Sequence, residues 1–211
     1  MSQVKHIPAM SPPVVHDFLR EIGRAWKRQG VAIELGCWLG ASAVPLLEGL
    51  VEAGYDRPFY CYDKWEASPA EVIKATAQGV PIHKRQDLLP LFLQNVKAIY
   101  PNIKPTKGRI GNKIEGYPGD PIEICLFDAP KRNPTFSQAI QALSPYWIPG
   151  VTILGLLDYY FYRSRPRDGF KPFLAPVQFM QKNPGCFTLI GEWPEDQCAF
   201  FKYNKKLKWK P

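Results

Sequence analysis

The sequence has no uninterrupted apolar run approaching the roughly 20 residues that a helix needs to cross a bilayer, so a membrane span is not expected. Its opening, MSQVKHIPAM, has no apolar core of the kind that directs secretion. The five cysteines (Cys37, Cys61, Cys125, Cys186 and Cys198) form no C-x-x-C pair. An odd number without metal-ligand spacing argues against a disulfide framework or a zinc site, and for a reduced, cytoplasmic protein. Most of them lie in apolar runs, where a free thiol acts as a small hydrophobe. Histidine is scarce, with three residues, so imidazole chemistry has few candidates. There is no internal repeat, and the 22 prolines are scattered at element boundaries without forming a low-complexity tract. Acidic residues are the minority charge, 19 against 27 basic ones, and the net charge of +8 suits acidic partners. Much of that excess is local, in Lys202, Lys205, Lys206, Lys208 and Lys210 and in the run Arg163, Arg165 and Arg167. No nucleic-acid module accompanies these clusters, so a solvated tail and a loop are the expected reading and nucleic acid is not an expected partner.

What is present is an ordinary globular composition, 45% apolar and 22% charged, in a chain long enough for one domain with an ample core. We expect a single domain over residues 1–211, with an N-terminal helical lead-in at 1–30, a lid at 64–90 and a basic tail at 204–211. The stretch that organises it is Val31 to Leu47, VAIELGCWLGASAVPLL. Val31, Ile33 and Leu35 give strand character. Gly36 and Gly40 allow a sharp turn or the approach of a ligand, and Ala41–Ala43 open a helix with Val44, Leu47 and Leu50 or Val51 on its core face. Strand, glycine loop and helix make the first unit of a doubly wound sheet, where ligands bind at the carboxyl end of the first strand. A dinucleotide fingerprint would need G-x-G-x-x-G. Here Trp38 stands at the middle glycine, which argues against NAD or FAD. Glu34, Gly36 and Gly40 instead spell E-x-G-x-x-x-G, which resembles motif I of class I S-adenosylmethionine (SAM)-dependent methyltransferases. That resemblance implies that Glu34 and the loop around Trp38 hold the methionyl end of the cofactor, the helix N-terminus facing its carboxylate.

The periodicity predicts a helix from about Val14 to Arg28, with Val14, Phe18, Ile22, Ala25 and Trp26 on one face and Gly30 as its C-terminal glycine. Pro58–Asp63 reads as the second strand. Asp63 lies 23 residues beyond Gly40, near the spacing at which such folds place a ribose-binding carboxylate, although a turn Asp would look the same. Lys64 and Trp65 follow it, and Trp65 could pack on cofactor or substrate. The segment 64–90 is longer than a connection needs and reads as a lid. His83 within it is the histidine nearest the inferred cleft and a catalytic candidate; an exposed loop histidine beside Lys84 and Arg85 explains it equally well. A helix over Leu88–Ile99 and a weak strand over Ile103–Ile110 follow, then Gly111 and Asn112 where methyltransferases contact adenine. Strands at Pro121–Asp128 and Val151–Leu157 flank a helix at Thr135–Leu143 with Phe136, Ile140 and Leu143 on one face. A helix at Phe173–Gln181 leads to two strands, Cys186–Glu192 and Gln197–Tyr203, joined by a short turn. The fold class is therefore α/β: a Rossmann-like, doubly wound, mostly parallel seven-stranded sheet with a C-terminal antiparallel hairpin.

From Val31 to Tyr160 the chain resembles the macrocin O-methyltransferase family, SAM-dependent enzymes that methylate sugar hydroxyls of natural products. The shared pieces are the Glu34–Gly40 loop, Asp63, Leu126-Phe127-Asp128 before a helix, and Trp147-Ile148-Pro149-Gly150-Val151 feeding a strand that ends in Asp-Tyr. The family pattern D-x-D-H after the fourth strand and D-D-Y after the fifth supplies three aspartate ligands to magnesium. This chain has Asp128-Ala129-Pro130-Lys131 and Leu157-Asp158-Tyr159. Asp128 and Asp158 remain as ligands, Leu157 replaces the third, and Lys131 takes the histidine position. Magnesium can be held by one or two carboxylates plus water, but the expectation here is against a stable catalytic metal.

The resemblance implies a methyltransferase acting on a small-molecule or glycan acceptor, acting on oxygen. Asp128 is the candidate base and also reaches the cofactor side. Its ordinary pKa near 3.9 makes it weak without burial or a neighbouring charge. Lys131 could lower an acceptor hydroxyl's pKa by its charge, or act as base if desolvated, and Asp158 completes the catalytic group. Tyr159, Tyr160 and Tyr162 with Arg163 line the acceptor pocket, and the arginines suit an acidic acceptor. Two other readings stay open: a methyltransferase-fold protein that binds without catalysis, motivated by the missing ligands, and an RNA-modifying enzyme, resting on the basic tail. A homo-oligomer is left open.

Overall fold

A computed structural model describes residues 6–111, 114, 117–164 and 171–208. In chain order the elements are α1 (Pro13–Arg24), β1 (Val31–Leu35), α2 (Ala43–Glu52), β2 (Phe59–Asp63), α3 (Pro69–Ala77), α4 (Leu89–Lys97) and β3 (Ile103–Lys107). They continue with β4 (Ile122–Phe127), α5 (Thr135–Leu143), β5 (Ile153–Leu156), α6 (Ala175–Lys182), β6 (Phe187–Trp193) and β7 (Cys198–Tyr203). The strands form one mixed sheet of order β3-β2-β1-β4-β5-β7-β6. The chain divides into two compact units, Met1–Trp26 with Cys37–Arg109, and Lys27–Gly36 with Ile110–Pro211.

In the first unit α1 packs on α2. Pro13 starts α1 with its φ already set for a helix. Val15, Leu19, Ile22 and Gly23 form the buried stripe; of the expected face Ile22 and Trp26 are buried, whereas Val14 and Ala25 are exposed and Val15 and Leu19 take the inner positions. The two backbones touch: a Cβ on Gly49 would stand 2.0 Å from the Arg20 carbonyl oxygen, and one on Gly23 would stand 2.5 Å from that of Leu46. Arg20–Glu48 and Arg24–Glu52 ion pairs flank the seam. Val51, a possible core residue of α2 by spacing, is exposed, whereas Leu50 is buried. β2 pairs parallel with the polar edge strand β3. Segment 64–90 folds back on itself. Ala67 donates to Gln86, Arg85 to Ala67 and Leu88 to Trp65 through their backbones, and between them α3 starts in a Ser68–Glu71 capping box.

In the second unit β1, β4 and β5 are parallel, and β7 inserts antiparallel between β5 and β6. β1 and β4 are buried along their whole length, as expected for strands covered on both faces. The first helix does not reach Arg28 and Gly30 does not end it. The backbone N–H groups of Lys27, Gln29 and Gly30 all donate to the carboxylate of Glu123 on β4. Those amides therefore bond across the chain and cannot continue a helix, and Arg28 turns at φ 64°. Thr152 ties the β5 approach in the same way, accepting the Ile148 N–H and donating to the Ile122 carbonyl. Lys205, Lys206 and Lys208 are exposed, as a solvated tail would have them, while Leu207 donates its N–H to the Tyr203 hydroxyl. Lys205, Lys206 and Lys208, with Lys182 on α6, line a cavity of about 770 Å³.

Candidate functional site

In a doubly wound sheet the ligand crevice lies outside the carboxyl ends of the strands where their order reverses. Here that point is β1 and β4, both in the second unit. Their tips are laced together: the N–H groups of Asp128 and Ala129 both donate to the Leu35 carbonyl, at 2.8 and 3.0 Å. Gly36 has φ +96°, and a Cβ there would lie 2.5 Å from the Ala129 nitrogen. The tip therefore admits only glycine for a packing reason, independent of any ligand. Glu34, fully buried, stands opposite Leu126 in the β1–β4 register.

Asp128 follows β4 directly, and Asp158 follows β5 after Leu157, whose N–H donates to the Phe127 carbonyl. The turn after Asp128 brings Lys131 back, so that its Nζ stands 2.6 Å from Asp158 Oδ2 and 4.2 Å over the ring of Phe161. The side chains are 30% and 14% exposed, so this pair is well shielded from solvent. Asp128, Lys131 and Asp158 thus line one recess of about 10 Å³, with Phe127, Pro130 and Pro176 also on its walls.

The donor set at this recess does not fit a magnesium ion. Leu157, buried and apolar, holds the third ligand position. Among the described residues no three His, Cys, Asp or Glu side chains gather as a metal site. Magnesium binds through carboxylates and waters of its own, and here the Asp158 carboxylate is already paired with the Lys131 ammonium at 2.6 Å.

The aromatic run beyond β5 forms its own cluster. Tyr159 meets Tyr160 edge-on, with centroids 4.8 Å apart, and packs on Phe201. The Tyr160 hydroxyl donates to the Glu192 carboxylate, and burial with that partner pushes its pKa up to about 12. Arg163 lies over the Tyr160 ring at 4.3 Å. Gly111 faces open space at its Cβ position. Asn112, Arg165, Arg167 and Lys210 lie outside the described residues.

In the first unit the chain after Gly36 turns through Trp38 (φ 43°) and Gly40 (φ +93°). A Cβ on Gly40 would come 3.0 Å from Val96 Cγ1, so α4 packs against this loop. The loop is clamped by Asp63, whose Oδ2 accepts the Trp38 N–H at 2.9 Å and whose Oδ1 accepts the Trp65 N–H at 2.7 Å. Burial raises the Asp63 pKa, outweighing the pull of these two N–H groups toward the ionised form. The Trp65 ring belongs to the core and not to a ligand surface: it is fully buried, donates Nε1–H to the Trp38 carbonyl and lies 5.0 Å from Phe92. Lys64 pairs with Glu71 of the capping box at 3.1 Å. His83 is exposed on a turn, its N–H bonded to Gln86, so within this unit it joins neither the Asp63 clamp nor the glycine loop.

Three residues that organise these places went unread in the sequence. Glu123 looked like one more strand position, and an acid inside an apolar run was its only signal. Phe161 stood in an aromatic run with nothing to mark it as the partner of Lys131. Glu192 carried no local signal as the acceptor for Tyr160.

No family model matches the chain, and no curated protein matches it in sequence. Its fold matches solved methyltransferases. The calicheamicin methyltransferase CalS11, also described as a TDP-rhamnose 3'-O-methyltransferase, aligns with a TM-score of 0.59 at 16% identity, over 91% of this chain and 78% of its own. The O-methyltransferase NovP aligns at 0.62 and 14%, over 90% and 79%. A methyltransferase from Podospora anserina, solved with S-adenosylhomocysteine bound, aligns at 0.57 and 12%, over 92% and 80%. The sheet, with its antiparallel last strand inside the hairpin, is thus the Rossmann-like fold of class I O-methyltransferases.

Proposed function

We propose that this chain is a SAM-dependent methyltransferase that transfers a methyl group to a hydroxyl of a small-molecule or glycan acceptor. The observation that carries the reading is the strand order, in which β7 lies antiparallel between β5 and β6 beyond a β1–β4 switch point, with Glu34 the penultimate residue of β1 and Asp128 directly after β4. Each unit carries a carboxylate whose chemistry suits a part of the cofactor. A buried carboxylate at Glu34 complements an ammonium group, and the Asp63 carboxylate, with a second lone pair on each oxygen, can accept from ribose hydroxyls while clamping the loop.

When bound, SAM supplies an activated methyl group, so the protein's task is to align the acceptor oxygen and exclude water. Asp128 at the tip of β4 takes the hydroxyl proton. Tyr159, Tyr160 and Arg163 form the acceptor wall, and the exposed guanidinium favours an acceptor that carries negative charge. A sugar acceptor, as in the name given to CalS11, is one candidate.

Calorimetry with SAM and S-adenosylhomocysteine tests the reading, followed by assay of S-adenosylhomocysteine release across sugars, phenols and acidic glycans. Saturable binding and release with one acceptor class are expected. Failure to bind either compound overturns the proposal. Binding without release across the panel replaces it with a non-catalytic binding role.

A further inference from the structure

We propose that the Lys131 ammonium does the work of a divalent cation at this site, so that methyl transfer is metal-free and suits a readily ionised acceptor, a phenolic hydroxyl. The proposal rests on the methyltransferase reading. Its physical basis is the group at the tips of β4 and β5. Lys131 Nζ lies 2.6 Å from Asp158 Oδ2, and the Phe161 ring covers the ammonium at 4.2 Å. A ring face attracts a cation without offering it a proton acceptor, so Phe161 fixes the position of the charge and leaves ammonium N–H groups to point elsewhere. The recess shared by Asp128, Lys131 and Asp158 already holds the ammonium, paired with one of the two carboxylates that a divalent ion would use. The ammonium stands where such an ion would have to pair with Asp158.

The substitution has a chemical consequence. A lysine brings one positive charge as a hydrogen-bond donor, whereas a divalent ion brings two and binds the oxygen directly. The weaker field cannot make a sugar hydroxyl ionise near neutral pH, but a phenol, with an ordinary pKa of about 10, needs much less help. The tyrosine pair Tyr159 and Tyr160, edge-on at 4.8 Å, supplies aromatic surface for such an acceptor. In the step, the phenolic O–H passes its proton to the Asp128 carboxylate while a Lys131 N–H stabilises the oxygen anion. The oxygen lone pair then forms the new O–CH₃ bond as the S–CH₃ bond breaks, and that bond's electron pair stays on sulfur. The products are an aryl methyl ether and the neutral thioether S-adenosylhomocysteine.

The test titrates Mn²⁺ alone into the full chain by electron paramagnetic resonance, for the wild type, Lys131→Ala and Lys131→Arg. Wild type and Lys131→Arg should bind no Mn²⁺ up to about 1 mM. Lys131→Ala, which removes the ammonium from Asp158, should bind at least about tenfold more tightly. Sub-millimolar Mn²⁺ binding by the wild type, or equal affinity in all three, overturns the proposal. Should Lys131→Ala fail to fold, the wild-type titration decides. In parallel, S-adenosylhomocysteine release is followed in excess chelator. Turnover of phenols that the chelator leaves unchanged supports the proposal. Turnover that needs added Mg²⁺, or a preference for sugars over phenols, sinks it. If the wild type binds no S-adenosylhomocysteine, the methyltransferase reading fails by itself, and the Mn²⁺ comparison still reports whether the ammonium excludes a metal.

Discussion

Asp63 accepts the Trp38 amide N–H at 2.9 Å, and with it the tip of β2 controls the shape of the glycine loop. The residue expected to bind ribose is therefore also the clamp of the loop. Asp63→Ala should weaken S-adenosylhomocysteine binding and stability together, and Asp63→Asn, which keeps one acceptor, should weaken both less. Calorimetry and urea melts read the two effects separately; loss of stability with unchanged affinity would remove the ribose role and leave the clamp.

The titration of Asp63 has a defined sign. Its folded pKa is raised above the ordinary 3.8, because burial outweighs the two N–H bonds. The folded state then binds a proton that the unfolded state releases, so the contribution is full below about pH 3.8 and is lost as pH rises through the folded value. The stability of wild type relative to Asp63→Asn should accordingly fall on going from pH 4 toward neutrality, as measured by urea melts in steps of about one pH unit.

His16 moves the other way. Burial, helped by the Arg20 charge, lowers its pKa below 6.5 and favours the neutral ring that meets Ser11 Oγ at 2.9 Å. The stabilisation is present above pH 6.5 and is lost as pH falls through the folded value. His16→Gln should flatten this acid limb of a thermal-melting profile; an unchanged limb would assign it to another group.

The α1–α2 seam predicts a contrast between glycines. Gly49→Ala would place a Cβ 2.0 Å from the Arg20 carbonyl and should cost about 1–3 kcal/mol or more. Gly108→Ala, with nothing within 4 Å, should fall within about 0.5 kcal/mol of wild type. Denaturant midpoints at constant m distinguish the two.

Tyr160, with a pKa near 12, remains protonated at any working pH and cannot be the base. Tyr160→Phe should leave the pH dependence of turnover unchanged in shape while raising KM, through loss of the Glu192 hydrogen bond that orients the ring. A shifted acid limb in that variant would reassign the proton transfer.

The parallel strands were legible because burial on both faces writes itself as runs such as Val31–Leu35 and Ile122–Phe127, and the closing hairpin because Trp193–Asp196 carries turn residues between two apolar segments. Asp128 and Asp158 could be named because each follows a strand end, and Lys131 because it stands at the histidine position of the D-x-D-H pattern that the chain resembles. Their meeting could not, since it depends on how the turn from Ala129 carries Lys131 back toward β5. The end of α1 was misread for a related reason: helical spacing runs on past Arg24, but three amides are taken by a carboxylate on a distant strand. Trp65 shows the limit of position alone. It stands next to a functional acid, yet the apolar area of an indole is worth more in the core beside Phe92 than at a ligand surface.

The Glu123 carboxylate answers amides that lie 96, 94 and 93 residues before it. During synthesis, then, the segment leading into β1 leaves the ribosome long before its acceptor exists. It can settle only once the chain has emerged past β4, which makes assembly of the sheet centre a late, long-range event in the birth of the molecule.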